Sequence, residues 1–308
     1  DTHSFPTRRS SDLLARHGEE TGKKHIVSTQ IEHKAVLEPL KHLSERGFEV
    51  DLVPPNSGGW VEPEEIRKTL KPDTLLVSVM HVNNETGVVQ PIDDIAEILD
   101  GHDAYFHTDA AQGFGKHFPF LQNPRVELIS ASAHKIYGPM GVGALVARRR
   151  GYKTPPIHSL VFGGGQERGL RSGTVPVPLV AGLGKASSLS AEEHEQRDNA
   201  CRSFKGHMIN ALEDLELQIH GDQERALPHV VNISFPRLDG EAVMLALQNM
   251  VAVSNGSACT SSSYESSHVL KAMGLSESCV QTALRWSWCH MTPWPKWDCL
   301  ASEIRHLF

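Results

Sequence analysis

Two hydrophobic periods alternate along the chain from His25 onward. Short apolar runs bounded by Gly, Pro and Asn are separated by stretches with an apolar residue every three or four positions. That pattern predicts βα units around a mainly parallel sheet. HIVST (25–29) reads as a strand, and the segment from Glu32 to Arg46 puts Val36, Leu37, Leu40 and Leu43 on one helical face, with Gly47 just past its end. FEVDLV (48–53) alternates with period two. A helix over 63–70 opens on Pro63 and carries Glu64 and Glu65 at its positive end. TLLVSVM (74–80), AYFHTD (104–109), ELISAS (127–132) and GALVA (143–147) read as further strands, whose connecting loops hold most of the polar, chemically capable residues. Beyond about Gly184 the texture changes. A long polar helix over 190–215, the strand VVNISF (230–235), a helix near 241–249 and VAVSN (251–255) predict a second, smaller α+β domain.

The expected organisation is a non-native stretch at 1–13, a large domain at 14–190 and a small domain at 191–308. Residues 1–13 (DTHSFPTRRSSDL) show no apolar period and read as foreign sequence standing in place of a longer native start.

Composition narrows the function classes. The 308 residues are 39% hydrophobic and 22% charged, with 30 basic against 37 acidic side chains and a net charge of −7. That is an ordinary globular balance, opposed to a collagenous, disordered or nucleic-acid-coating chain. No apolar run approaches the length of a membrane span and no secretory signal opens the chain, so a cytoplasmic protein with neither a membrane nor a nucleic-acid partner is expected. Five cysteines, at 201, 259, 279, 289 and 299, are odd in number and show no CxxC spacing. They read as free thiols in a reducing compartment, one of them chemical and the others packing. The histidines lack metal-ligand spacing, so no metal site is expected.

The candidate chemistry lies at strand ends. SAHKIYGPMG (132–141) sets Lys135 directly after a buried strand among small residues, where a partly desolvated amine is nucleophilic. HTDAAQ (107–112) ends another strand and offers Asp109 and Gln112, a carboxylate for a heteroaromatic nitrogen and an amide for a phenolic oxygen. A carboxylate at one strand end and a lysine at the next is the arrangement that pyridoxal 5'-phosphate needs.

With those residues, the sequence resembles the cysteine desulfurases, class V enzymes of fold-type I that depend on pyridoxal phosphate. The likeness runs from about Lys24 to Ser287. It is carried, in family order, by TQIEHKAV (29–36), MHVNNETGVVQ (80–90), HTDAAQ, SAHKIYGP, GGGQERGLRSGT (163–174) and SNGSACTSSSYESSHVL (254–270). The resemblance implies an α/β large domain, a smaller α+β domain and a homodimer. It makes Lys135 the lysine bonded to the cofactor, Asp109 and Gln112 its ring contacts, and His33 the ring-stacking histidine that moves protons. Asn84 contacts the cofactor and substrate, Ser132 and His134 contact the cofactor and its phosphate, and Thr174 reaches the phosphate of the neighbouring subunit. The resemblance further implies that Cys259, in a loop of small residues expected to be mobile, takes the sulfur of L-cysteine as a persulfide. The sulfur then passes to an acceptor or iron–sulfur scaffold protein.

Two departures accompany the resemblance. The Gly-rich, Thr-containing phosphate turn expected upstream of His25 is replaced by ARHGEETGKK (15–24). The family's R-x-S-x-G-R segment, whose last Arg is taken to clamp the substrate carboxylate, reads Arg285-Trp286-Ser287-Trp288-Cys289-His290. Either His290 binds the carboxylate as imidazolium, Arg285 substitutes, or substrate binding is altered. Three readings remain open: a cysteine desulfurase or selenocysteine lyase, another class V enzyme, and an inactive truncated relative acting as a dimerising partner.

Overall fold

The computed structural model describes residues 10–255 and 266–308, and the chain divides into two compact units. The first comprises residues 1–54, 61–82 and 90–192, and the second comprises 55–60, 83–89 and 193–308.

In chain order, the first unit contains α1 (Ser10–Thr21), β1 (His25–Thr29), α2 (Lys34–Glu45), β2 (Glu49–Val53), α3 (Pro63–Thr69) and β3 (Thr74–Ser78). After these come α4 (Ile92–Ile98), β4 (Tyr105–Asp109), β5 (Leu128–Ser132), β6 (Gly143–Ala147) and α5 (Val177–Glu192). Among the described residues the strands form one sheet in the order β2-β1-β3-β4-β5-β6, parallel throughout except that β6 runs antiparallel to β5. All five residues of β1, β3 and β5 are buried, so both faces of these strands are covered, which explains why their apolar residues cluster rather than alternate with exposed ones. One core packs Val27, Val77, Phe106 and Ile129 against Ile66, Ile95 and Phe120. A second packs Ile26, Leu76 and Leu128 with Leu14 of α1 and Val36, Leu40 and Leu43 of α2. The predicted stop at Gly47 is present: its φ of 85° suits glycine, and Phe48 N–H closes the helix end on Leu43 O at 3.1 Å.

α1 runs through the boundary expected after Leu13. Leu14 is fully buried, and Leu13 O accepts the His158 N–H at 2.9 Å.

The second unit contains α6 (His194–Leu212), β7 (Gln218–His220), β8 (Val230–Ser234), α7 (Gly240–Leu247), α8 (His268–Ala272), α9 (Glu277–Thr282), β9 (Ala283–Ser287) and α10 (Trp297–Arg305). Its sheet is antiparallel in the order β7-β8-β9. Val231, Ile233, Leu284 and Trp286 face a core shared with Phe204, Met208, Val243 and Leu300. The single long helix expected over 190–215 is divided between α5 and α6 at Glu193, whose ψ of 9° is not helical. VAVSN forms no strand, and only Ser254 makes a bridge, to Arg285. The packing role expected for four cysteines holds for Cys201 and Cys279, which are buried. Cys289 is half-buried in the turn after β9, and Cys299 is exposed on α10.

Candidate active site

In the first unit the predicted site residues collect at the carboxyl ends of the parallel strands, where α/β sheets bind ligands. Asp109 closes β4 and is 3% exposed; one carboxylate oxygen accepts the Ala111 N–H at 2.9 Å. Two residues earlier, His107 is wholly buried between Ser78 Oγ at 2.8 Å and Ser130 Oγ at 2.9 Å, forming a polar row across β3, β4 and β5. Burial pushes its pKa down to about 4, against the pull of the nearby Asp109 charge, so His107 is a neutral spacer rather than a counter-ion. Gln112 follows, half-buried, in the turn after Asp109.

Asp109 pairs in register with Ser130 of β5, which leads into Ser132 and then into a single 3-10 turn over Ala133–Ile136 that carries Lys135. Ser132 Oγ lies 3.0 Å from Nδ1 of the exposed His134. Tyr137 ends the turn in the left-handed region at φ 65°, and Gly138 N–H returns to Ala133 O at 2.9 Å. A left-handed conformation in a bulky residue is costly, on the order of 1 kcal/mol, and here it fixes the direction in which the lysine turn leaves the sheet.

His33 stands at the start of α2, beyond the end of β1. Its Nδ1 accepts the Ala35 N–H at 3.0 Å, so in the neutral ring the proton sits on Nε2 and that edge is the donor. Beside it lies a residue that the sequence reading passed over. Glu32 is fully buried, and its Oε1 accepts from Thr29 Oγ1 at 2.9 Å and from Met80 N–H at 2.7 Å. Burial above all, and then the Asp109 charge, pushes its pKa up to about 8, so at neutral pH it is an uncharged carboxyl tying the His33 loop to the end of β3. A charged residue inside the motif IEHKAV was its only sequence signal. Thr174 is not part of this strand-end group. It is exposed, and lines with Leu145, Val161 and Leu170 a cavity of about 320 Å³.

A primary amine, a buried carboxylate on the adjacent paired strand, an amide and an imidazole fit pyridoxal phosphate by their donor chemistry. The amine suits the aldehyde, and the carboxylate suits a protonated ring nitrogen.

In the second unit, Asn84 and Arg285 come together: Arg285 Nη1 donates to the Asn84 carbonyl at 3.2 Å. Cys259 lies outside the described residues, but the chain on either side of it is held in this neighbourhood. Ser254 N–H donates to Arg285 O at 3.2 Å, and Arg285 N–H donates to Ser254 O at 2.6 Å. On the far side, Ser267 Oγ donates to the buried Glu85 at 2.5 Å and accepts the Leu270 N–H, capping α8. His290 is held elsewhere, against α6. Burial and the Arg197 guanidinium lower its pKa, outweighing Glu193, so the imidazolium form considered from sequence is disfavoured and Arg285 is the better cation for a carboxylate.

Residues 9–292 match the model of the aminotransferase class V family. The chain is 41% identical over 283 residues to the cysteine desulfurase IscS of Vibrio cholerae, covering 92% of this chain and 69% of that protein. It is a member of the cysteine desulfurase family. Among solved structures, DndA of Streptomyces lividans superposes on this desulfurase with a TM-score of 0.83 at 44% identity, covering 92% of this chain and 81% of that one. SspA in complex with cysteine superposes with a TM-score of 0.79 at 35% identity, covering 91% and 78% of the two chains. A NifS-like protein superposes with a TM-score of 0.85 at 34% identity, covering 99% of this chain and 80% of that one.

Proposed function

We propose that the protein is a pyridoxal-phosphate-dependent cysteine desulfurase that converts L-cysteine to L-alanine and leaves the sulfur as a persulfide on Cys259. When bound, the cofactor would supply an electron sink for the pair released when the carbon–sulfur bond breaks. Lys135 supplies the amine that holds it. Asp109, kept apart from neighbouring charge by neutral His107 and neutral Glu32, supplies the carboxylate that keeps its ring nitrogen protonated. His33 presents Nε2 for proton movement, Gln112 offers its amide to the ring, and Ser132 and His134 contact the cofactor. Asn84 and Arg285 hold the substrate, with the Arg285 guanidinium on its carboxylate.

The sulfur step balances without an external oxidant. The Cys259 thiolate forms a bond to the substrate sulfur, the sulfur–carbon bond breaks, and a proton completes alanine. The observation that carries this reading over another class V activity is the anchoring on both sides of Cys259. Ser254 is tied to Arg285, and Ser267 is tied to Glu85, the neighbour of Asn84.

The reading extends to a homodimer, in which Thr174 serves the partner's phosphate, and to delivery of sulfur to an acceptor or iron–sulfur scaffold protein. Met140, Phe162 and Val177, at 80%, 85% and 67% exposure, support a covered apolar surface. A reducing compartment such as the cytoplasm suits the buried thiols of Cys201 and Cys279. No helix among the described residues is long and apolar enough to cross a membrane. Incubation with L-cysteine and a reductant tests the reading. Equal yields of sulfide and alanine are expected, and pyruvate or amino-group transfer in their place overturns it.

A further inference from the structure

The sheet of the second unit has one face that its hydrophobic core does not use. Val231 and Ile233 of β8 point into the core with Leu284 and Trp286 of β9, so the alternate residues His220, Asn232 and Arg285, opposite one another in register, share the other face. His220 Nε2 lies 2.8 Å from Ser234 Oγ, and Arg285 Nη1 reaches Asn84 O. Asn232, between them, is fully buried, yet neither its Oδ1 nor its Nδ2 has a hydrogen-bond partner among the described residues. The same holds for Arg285 Nε.

A buried amide with both ends unpaired is unfavourable. In native proteins such groups are few, and each calls for a reason such as an ordered water, an ion or a role at a functional site. Residues directly opposite across an antiparallel pair have Cβ atoms about 5 Å apart. The unpaired amide oxygen and the unpaired guanidinium N–H therefore lie within reach of one hydrogen bond.

We propose that Asn232 is a positioning residue for Arg285. On substrate binding its Oδ1 accepts from Nε, locking the plane of the guanidinium so that the terminal nitrogens present a fixed fork to a carboxylate. The inference rests on the reading that Arg285 takes the substrate carboxylate. Its chemistry follows from the donor count: Asn84 O engages one N–H, a bidentate carboxylate engages two, and Nε needs an acceptor of its own if the plane is not to rotate. Asn232 itself touches no reacting atom.

Asn232→Leu tests the proposal, because it keeps the volume and deletes both unpaired groups. A merely structural amide predicts an unchanged or raised unfolding midpoint and unchanged kinetics. Positioning predicts an unchanged or raised midpoint together with a KM for L-cysteine increased about tenfold or more, kcat held within about twofold, and a parallel rise in the calorimetric dissociation constant of L-alanine. Asn232→Asp, which sets a competing carboxylate against Arg285, is expected to raise both constants at least as far, and it carries the test should the leucine variant not fold. Unchanged constants in the variants, with a wild-type protein that binds alanine and releases sulfide, overturn the positioning role alone. A wild-type protein that does neither overturns the substrate reading and this inference together.

Discussion

Glu32→Gln isolates the buried carboxyl beneath the candidate site. Glu32 has an ordinary pKa near 4.5 when unfolded and one pushed up to about 8 in the folded protein, by burial first and the Asp109 charge second. A raised folded pKa means that between these values the native state holds a proton that the unfolded state has lost. Stability from this group is therefore fully present below about pH 4.5 and lost as pH rises, by about 1.4 kcal/mol per unit and about 5 kcal/mol across the window. The glutamine keeps an oxygen for Thr29 Oγ1 and Met80 N–H but does not titrate. Urea unfolding of both proteins from about pH 5 to about pH 8 should show the wild type losing stability relative to the variant, by about 4 kcal/mol over the three units. Other groups cancel in the difference. Parallel curves for the two proteins would refute the neutral carboxyl at Glu32.

Three further outcomes follow from named contacts. Asp109→Asn retains an acceptor for Ala111 N–H but removes the charge, and should weaken pyridoxal phosphate binding at least about tenfold by equilibrium dialysis. Leu14→Ala empties a fully buried position of α1 and should lower unfolding free energy by about 2–5 kcal/mol; no change would mean that α1 does not belong to the fold. Ser267→Ala removes both the α8 cap and the partner of buried Glu85. It should cost about 2 kcal/mol in denaturant unfolding, with increased protease cleavage between 254 and 267.

The large sheet was legible because strands buried on both faces carry short apolar stretches, Ile26-Val27 in β1, Leu75-Leu76-Val77 in β3 and Leu128-Ile129 in β5, flanked by small or hydrogen-bonded polar residues. Its carboxyl-end loops were legible because polar residues there break those runs. Elsewhere the pattern was weaker. β7 has three residues, and β9 carries Arg285 between apolar neighbours, too little for a period to register. α4 is seven residues long after Pro91, and α1 hides its apolar Leu13, Leu14 and Ala15 behind a polar start. At the candidate site, Lys135, Asp109 and His33 stood out as reactive types in recognisable motifs. Glu32 and Asn232 did not, because their significance lies in burial and missing partners, which a string of residues does not display. The choice between His290 and Arg285 stayed open in the sequence for a similar reason: only the fold places Arg197 against His290.

The proposed desulfurase chemistry turns on Cys259 receiving the sulfur of L-cysteine. Mass spectrometry of the cofactor-loaded protein after brief exposure to L-cysteine, without reductant, tests it most directly. A mass increase of one sulfur atom is expected on the peptide containing Cys259, absent in Cys259→Ser and erased by dithiothreitol. An unmodified Cys259 alongside undiminished alanine formation, with the serine variant as active as the wild type, would contradict it.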